Sequence, residues 1–221
     1  MATPESFQRA RRPEQKEERR VHLLLTARAA LNGGMEVNDL GLNELARRAG
    51  MTKSNVYRYF ENREALLLAL LEEEAVRWHA ELGARLAAGN APRGTAQQVA
   101  QAFAGATAAH PLMCRLFSVL PSIIERNVSV ERLTEFKLNS LTLAADVAQQ
   151  LQRSAPALPV TAYAAFQRQA LALLIGLWPL GRPGAALKEV LLLPELRPLR
   201  YDFDADFTAG VLLLLRGLGL K

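Results

Sequence analysis

The run LNELARRAGMTKSNVYRYFENREAL, residues Leu42 to Leu66, decides the fold. Leu42, Leu45, Ala46 and Ala49 recur at i, i+3, i+4 and i+7, one face of a helix. Gly50 follows where a tight turn requires positive φ. Thr52 has N-cap chemistry for a second short helix. In that helix Val56, Tyr59 and Phe60 face inward, and Lys53, Ser54, Asn55, Tyr57 and Arg58 face out. Two short helices joined by a glycine turn form a helix-turn-helix, whose second helix is built to enter a major groove. The outward set offers hydroxyls, an amide and cations, with no carboxylate from Thr52 to Tyr59. Phosphates repel carboxylates, whereas Asn and Arg can read base edges. The competing reading is a pair of Leu/Ala helices that only pack. The basic outward face weighs against it.

Ala49 to Phe60, followed by Asn62-Arg63-Glu64-Ala65-Leu66, resembles the signature of the tetracycline-repressor (TetR) family. That signature is a small-residue turn, a capped recognition helix ending in Tyr-x-x-Phe, and a basic residue opening the next helix. The Leu45-Ala46 pair and a preceding long helix also fit. The resemblance covers roughly residues 14–70; beyond them it is one of architecture. It implies that Asn55 and Arg58, with Ser54, reach base edges, and that Thr52, Lys53, Tyr57, Tyr59 and Arg63 hold phosphates. It further implies a homodimer on a palindromic operator, a small-molecule effector held among the middle helices, and repression as the usual outcome. Four details depart from the pattern. Gly41 stands where Ser or Thr is usual, and the Met35–Leu40 loop is slightly long. Arg63 replaces the commoner Lys, and the first helix has Ala29-Ala30-Leu31 in place of a large aromatic near its end.

The distribution of charge suits a polyanionic partner such as DNA. Net charge is +5, and the first 63 residues hold 12 Lys/Arg against 8 Asp/Glu while the remainder holds 15 against 14. An excess confined to one small region suits a polyanion. The bland alternative is a solvated basic tail carrying Arg9, Arg11 and Arg12. Of the 221 residues 50% are hydrophobic and 22% charged, which excludes disorder over most of the length. The single cysteine, Cys114, permits no intramolecular disulfide and nothing points to secretion. The N-terminal stretch has no apolar signal region. The longest run without Asp, Glu, Lys or Arg, Gly94 to Cys114, is too polar for a membrane span. These features predict a cytoplasmic protein with no membrane partner.

Composition and periodicity predict an all-α chain in three parts: a flexible basic arm at 1–13, a helix-turn-helix domain at 14–70, and a helical effector-binding and dimerisation domain at 71–221. A first helix is expected at 13–32, stopped by Gly33-Gly34. A long one follows at 62–88, closed by Gly89-Asn90-Ala91-Pro92. Further helices are expected at 95–109, 130–153, 161–178 and 205–219. Pro111 opens one helix, and Ser122 with Glu125 has capping-box spacing for a restart after Pro121. Residues 181–203 read as largely irregular.

Enzyme chemistry finds no footing. His22, His79 and His110 have no partners at metal-ligand spacing, and no phosphate loop or nucleophile elbow is present. No metal, cofactor or catalytic residue is expected. Phe103, Thr107, His110, Cys114 and Phe117 share one face if the Pro111 kink is mild. With Met113 beside them they make an apolar pocket suited to a hydrophobic effector. Plain core packing is the alternative for each. Ala170 to Trp178 is apolar throughout, and Phe207, Val211, Leu214 and Leu218 form a stripe beside Leu212 and Leu215. Helices apolar on more than one side must be covered on more than one side. Leu174, Trp178, Phe207, Val211, Leu214 and Leu218 are therefore the expected dimer interface, a four-helix bundle that Gly210 and Gly217 would let close tightly. The alternative is that 181–203 folds back over the second stripe. Another class of function also stays open: a helical small-molecule-binding protein or enzyme whose helix-turn-helix is only structural.

Overall fold

The computed structural model describes residues 13–88 and 94–221, in two compact units that part between Leu70 and Leu71. The expected arm with Arg9, Arg11 and Arg12 lies outside the described residues, as does the stop at Gly89-Asn90-Ala91-Pro92. Among the described residues every regular element is helical.

In the first unit α1 (Pro13–Asn32) buries Leu23, Leu24, Ala27, Ala30 and Leu31. Gly34, at φ +94°, ends it: the Met35 N–H donates to the Ala30 carbonyl and the Gly34 N–H to Leu31. Only a residue free to adopt that φ closes a helix in this way without strain. One 3₁₀ turn at Val37–Asp39 spans the long loop and buries Val37, with Leu40 buried behind it. Then come α2 (Leu42–Arg48), α3 (Lys53–Val56) and α4 (Arg63–Ala88), whose first two turns belong to this unit. Asn62 caps α4, its Oδ1 accepting the Ala65 N–H at 2.8 Å; such a cap stabilises a helix by about 1 kcal/mol.

The second unit holds the rest of α4, α5 (Ala96–Ala108), α6 (Pro111–Val119), α7 (Val130–Ser154), α8 (Val160–Leu180), α9 (Ala185–Val190) and α10 (Phe203–Gly217). Thr95 and Gln98 form a capping box at the start of α5. The axes of α5 and of the helical segment 111–124 differ by 83°. Pro111 has no N–H, and its ring excludes continuation of α5, so the kink is a corner. After α6 the chain does not restart at Ser122. It widens into a π-helical turn, Leu120–Ile124, with the Glu125 N–H donating to Leu120 O at 3.0 Å. Pro121 lacks the donor that an α turn would use, and the wider turn absorbs the loss.

Rings build the core of this unit. Phe103 meets Trp78, Phe166 and Phe207 at centroid distances of 5.3, 5.0 and 6.4 Å. Phe207 stacks on Phe203, which meets Trp178 edge-on at 4.8 Å. Tyr163 is fully buried and its hydroxyl donates to Ala155 O at 2.5 Å, tying α8 to the end of α7. Burial pushes that phenol up to about 12.

This packing revises the dimer face. On α10 the inward stripe is Phe203, Phe207, Val211 and Leu215, and on α8 it includes Leu174 and Trp178. Four expected interface residues, Leu174, Trp178, Phe207 and Val211, are thus buried in their own chain. Leu214 is half-buried and Leu218 exposed. A Cβ on Gly210 would lie 2.5 Å from Leu173 Cδ2, so this glycine lets α10 approach α8 of the same chain. The outer faces carry Leu171, Ala172 and Gly176 on α8 and Ala209 and Leu213 on α10. Residues 181–203 do not fold back over them: no residue from 182 to 202 is buried. By length and composition alone α8 could cross a membrane, a property the Gly94–Cys114 run did not flag.

Candidate nucleic-acid interface

Three local features present the residues of α3. Gly50 sits at φ +64° and closes α2: the Met51 N–H donates to Ala46 O at 2.9 Å and the Gly50 N–H to Arg47 O at 3.4 Å. This left-handed cap turns the chain sharply between α2 and α3. Val56 and Phe60 then anchor α3 in the core of the unit, both buried. The His22 imidazole bonds the Ala49 carbonyl through Nε2 at 3.2 Å, joining α1 to the turn.

The regular part of α3 is shorter than the helix expected near 53–59. It makes one turn, Lys53–Val56, and continues through tight turns in which Arg58 N–H donates to Asn55 O and Tyr59 N–H to Val56 O. Thr52 occupies the N-cap with extended backbone, yet its hydroxyl does not cap; it lies 3.2 Å from Ser54 Oγ. Both hydroxyls are exposed and remain able to meet an oxygen of a ligand.

Thr52, Lys53, Ser54, Tyr57 and Arg58 are exposed, Tyr57 at 54%, while Asn55 and Tyr59 are half-buried. Thr52, Lys53, Ser54, Tyr57 and Arg58 are the exposed polar and cationic strip of this segment. Arg63 stands apart. Its guanidinium donates to Glu64 Oε1 at 2.7 Å and to the Asn38 carbonyl at 2.9 Å, bracing the long loop against α4. Glu64 is buried, so the brace is structural first; a guanidinium still has donors left for a phosphate. On α2, Glu44, Arg47 and Arg48 form a further charged cluster, for which their i, i+3, i+4 spacing is the signal in the sequence. Hydrogen bonds from Arg47 and then Arg48 hold the Glu44 carboxyl down at about 2.

The expected effector residues do not gather on one face. The corner at Pro111 puts Phe103 and Thr107 on α5, and Met113, Cys114 and Phe117 on α6. Phe103 is the hub of the aromatic core. Thr107 is spent on that core, accepting the Trp78 indole N–H at 3.2 Å and donating to Phe103 O at 2.8 Å. Met113 and Cys114 are buried and Phe117 is half-buried. His110, at the corner, lies 3.8 Å through Nδ1 from the buried Glu74 carboxylate. An open recess is lined elsewhere, by Gly181, Arg182, Tyr201, Asp202, Phe203 and Asp204.

Burial raises the Cys114 thiol to about 12, far from the thiolate range at neutral pH. The folded protein is therefore expected to resist a thiol reagent at pH 8 and to release one reactive thiol in denaturant. Rapid labelling of the native protein would contradict this burial.

Two family models match. Residues 36–70 match "Bacterial regulatory proteins, tetR family", and residues 72–221 match "Tetracyclin repressor-like, C-terminal domain". An uncharacterized helix-turn-helix-type transcriptional regulator of Mycobacterium tuberculosis (strain H37Rv) is 40% identical over 48 residues, 22% of this chain. The match spans 24% of that relative's length. The fold is similar to the crystal structure of a TetR transcriptional regulator from Rhodococcus sp. RHA1, at TM-score 0.59 and 18% identity over 92% of this chain and 98% of that one. It is also similar to the fatty acid degradation regulator FadR from Bacillus halodurans, at TM-score 0.52 and 14% identity over 96% of this chain and all of that one.

Proposed function

Because the chain belongs to the tetR family of bacterial regulatory proteins, we propose that it is a ligand-responsive transcriptional regulator that binds a palindromic operator as a homodimer and acts most often by repression. The observation that carries this reading is the α3 strip, which presents hydroxyls, an amide and cations beside a left-handed glycine turn, with no carboxylate from Thr52 to Tyr59. Such a surface suits the edge of a major groove and its flanking phosphates. Asn55 and Arg58, with Ser54, read base edges. Thr52, Lys53, Tyr57 and Tyr59 hold phosphates, and Arg63 adds a donor from its brace. A DNA partner places the protein in the cytoplasm.

Two copies meet through the outer faces of α8 and α10, with Leu171 and Leu213 at the contact. A two-fold there presents two α3 strips to half-sites about 34–36 Å apart. The effector is a small, mainly apolar molecule. It binds one spacing of the two reading heads better than the other, as any ligand that shifts such an equilibrium must. Its site involves the α5–α6 corner, where His110 and Phe117 keep partial access to solvent.

The test is an operator titration with paired variants. Arg58→Ala should cost ~1–3 kcal/mol and relax preference at one base position. Lys53→Ala should weaken all sequences alike and flatten the salt slope by about one unit. A Lys53 variant that changed sequence preference at constant salt slope would overturn the division of roles. Retention of full DNA affinity by a Tyr57→Ala, Arg58→Ala double variant would favour the purely structural helix-turn-helix.

A further inference from the structure

Between α8 and α10 the chain makes an excursion that its own core does not explain. Its neck is closed: a Cβ on Gly181 would lie 2.9 Å from Phe203 Cβ, so the end of α8 touches the start of α10. Beside it the Arg182 guanidinium lies 4.2 Å over the Trp178 ring at the end of α8. Arg200 braces the interior, donating through Nε to Leu191 O at 2.6 Å and through Nη2 to Leu192 O at 3.1 Å. Within this frame lie α9 and a 3₁₀ turn at Pro194–Leu199. Yet none of residues 182–202 is buried. Leu187, Val190, Leu192, Leu193, Leu199 and Tyr201 are exposed, from 46% at Tyr201 to 71% at Leu192.

A six-residue helix is marginal in water and is ordinarily held by packing of its apolar face. Among the described residues nothing buries that face. We propose that the excursion is a docking arm that completes the homodimer, its leucines covered by a second copy of this chain. The inference rests on the dimer reading above and extends it to a segment outside the helix pair.

Area points to the second copy. A leucine side chain offers on the order of 100 Å² of apolar surface. Leu171, Leu180, Leu213 and Leu218 on α8 and α10, each part-exposed, supply roughly 200 Å² between them, and the small residues beside them about as much again. A standard interface takes about 800 Å² from each partner. The six large side chains of the excursion add roughly 300–400 Å², which closes most of that gap. The arm is joined at both ends to the two helices whose outer faces need covering. Its charges agree. Arg182, Lys188, Arg197 and Arg200 share the excursion with Glu189, Glu195 and Asp202, so it carries both signs and no strong net charge to repel its own copy across a two-fold. A membrane-surface segment would be basic on its polar face.

The test compares three full-length proteins by sedimentation over a range of concentrations: the parent, a Leu187→Ser, Leu192→Ser, Leu193→Ser triple variant, and Leu213→Glu. Expected is a parent dimer, a dissociation constant raised about a hundredfold in the triple variant, and unchanged helical circular dichroism. Hydrogen exchange across residues 185–199 should be slow in the parent above its dissociation constant and fast below it. A triple variant as dimeric as the parent overturns the arm while leaving the dimer, provided Leu213→Glu dissociates. A monomeric parent at micromolar concentration overturns both. Loss of helix in the dilute triple variant would mean that these leucines serve their own chain, and also overturns the proposal.

Discussion

Glutamate in place of Leu213 is expected to separate the two copies and to lower operator affinity by about a thousandfold or more. Leu213 is 69% exposed in the single chain, so the substitution leaves the monomer's stability within about 0.5 kcal/mol. Across a two-fold the same residue occurs twice in one contact. Burying a carboxylate there without a partner costs several kcal/mol per site. A monomer then meets DNA with one α3 strip and loses most of the ~4–10 kcal/mol that separates specific from non-specific binding. Sedimentation velocity and a parallel operator titration measure both effects. A variant that stayed dimeric would move the interface away from the outer face of α10. One that became monomeric and still bound the full palindrome with parent affinity would remove dimerisation from the mechanism.

The second large effect is structural. Phe103→Ala removes the ring on which Trp78, Phe166 and Phe207 converge. The close packing around it leaves little room for collapse, so the cost should be about 3–5 kcal/mol, with a fall in melting temperature of roughly ten degrees. Had Phe103 lined an effector pocket, its removal would weaken ligand binding and leave thermal stability nearly untouched. A ligand-free melt of the variant separates these outcomes. A shift of only a degree or two would return Phe103 to the pocket.

These two predictions mark where one-dimensional patterns succeed and where they fail. The α2–turn–α3 unit was legible because its determinants are local. Gly50 must adopt positive φ, Thr52 stands at the N-cap, and Val56 and Phe60 sit one helical turn apart. No distant residue can change what those positions require. The end of α1 at Gly34 was legible on the same ground. The exposed polar strip followed as well, since a short helix with two inward anchors has only one face left. Arg63 was half-legible: its place at the start of α4 is local, but its brace to the Asn38 carbonyl joins residues 25 positions apart.

Legibility ended where helices are apolar on several sides. In α10 the Phe207–Val211 positions and the Leu212–Leu213–Leu214 positions are equally hydrophobic, and period alone cannot say which stripe meets its own chain and which a partner. Packing of α10 on α5 and α8 made that choice, with Gly210 set against Leu173. The same holds at Pro111. A proline announces a break, but an 83° corner in place of a mild kink depends on where α6 finds a surface, and it took apart the face that Phe103 and Phe117 were expected to share. Local backbone chemistry therefore wrote the helix-turn-helix and the polar residues it exposes into the order of amino acids. The inner and outer faces of α8 and α10, the aromatic core around Phe103 and the uncovered arm at 182–202 came only with tertiary packing, because burial is a property of neighbours brought together from far along the chain.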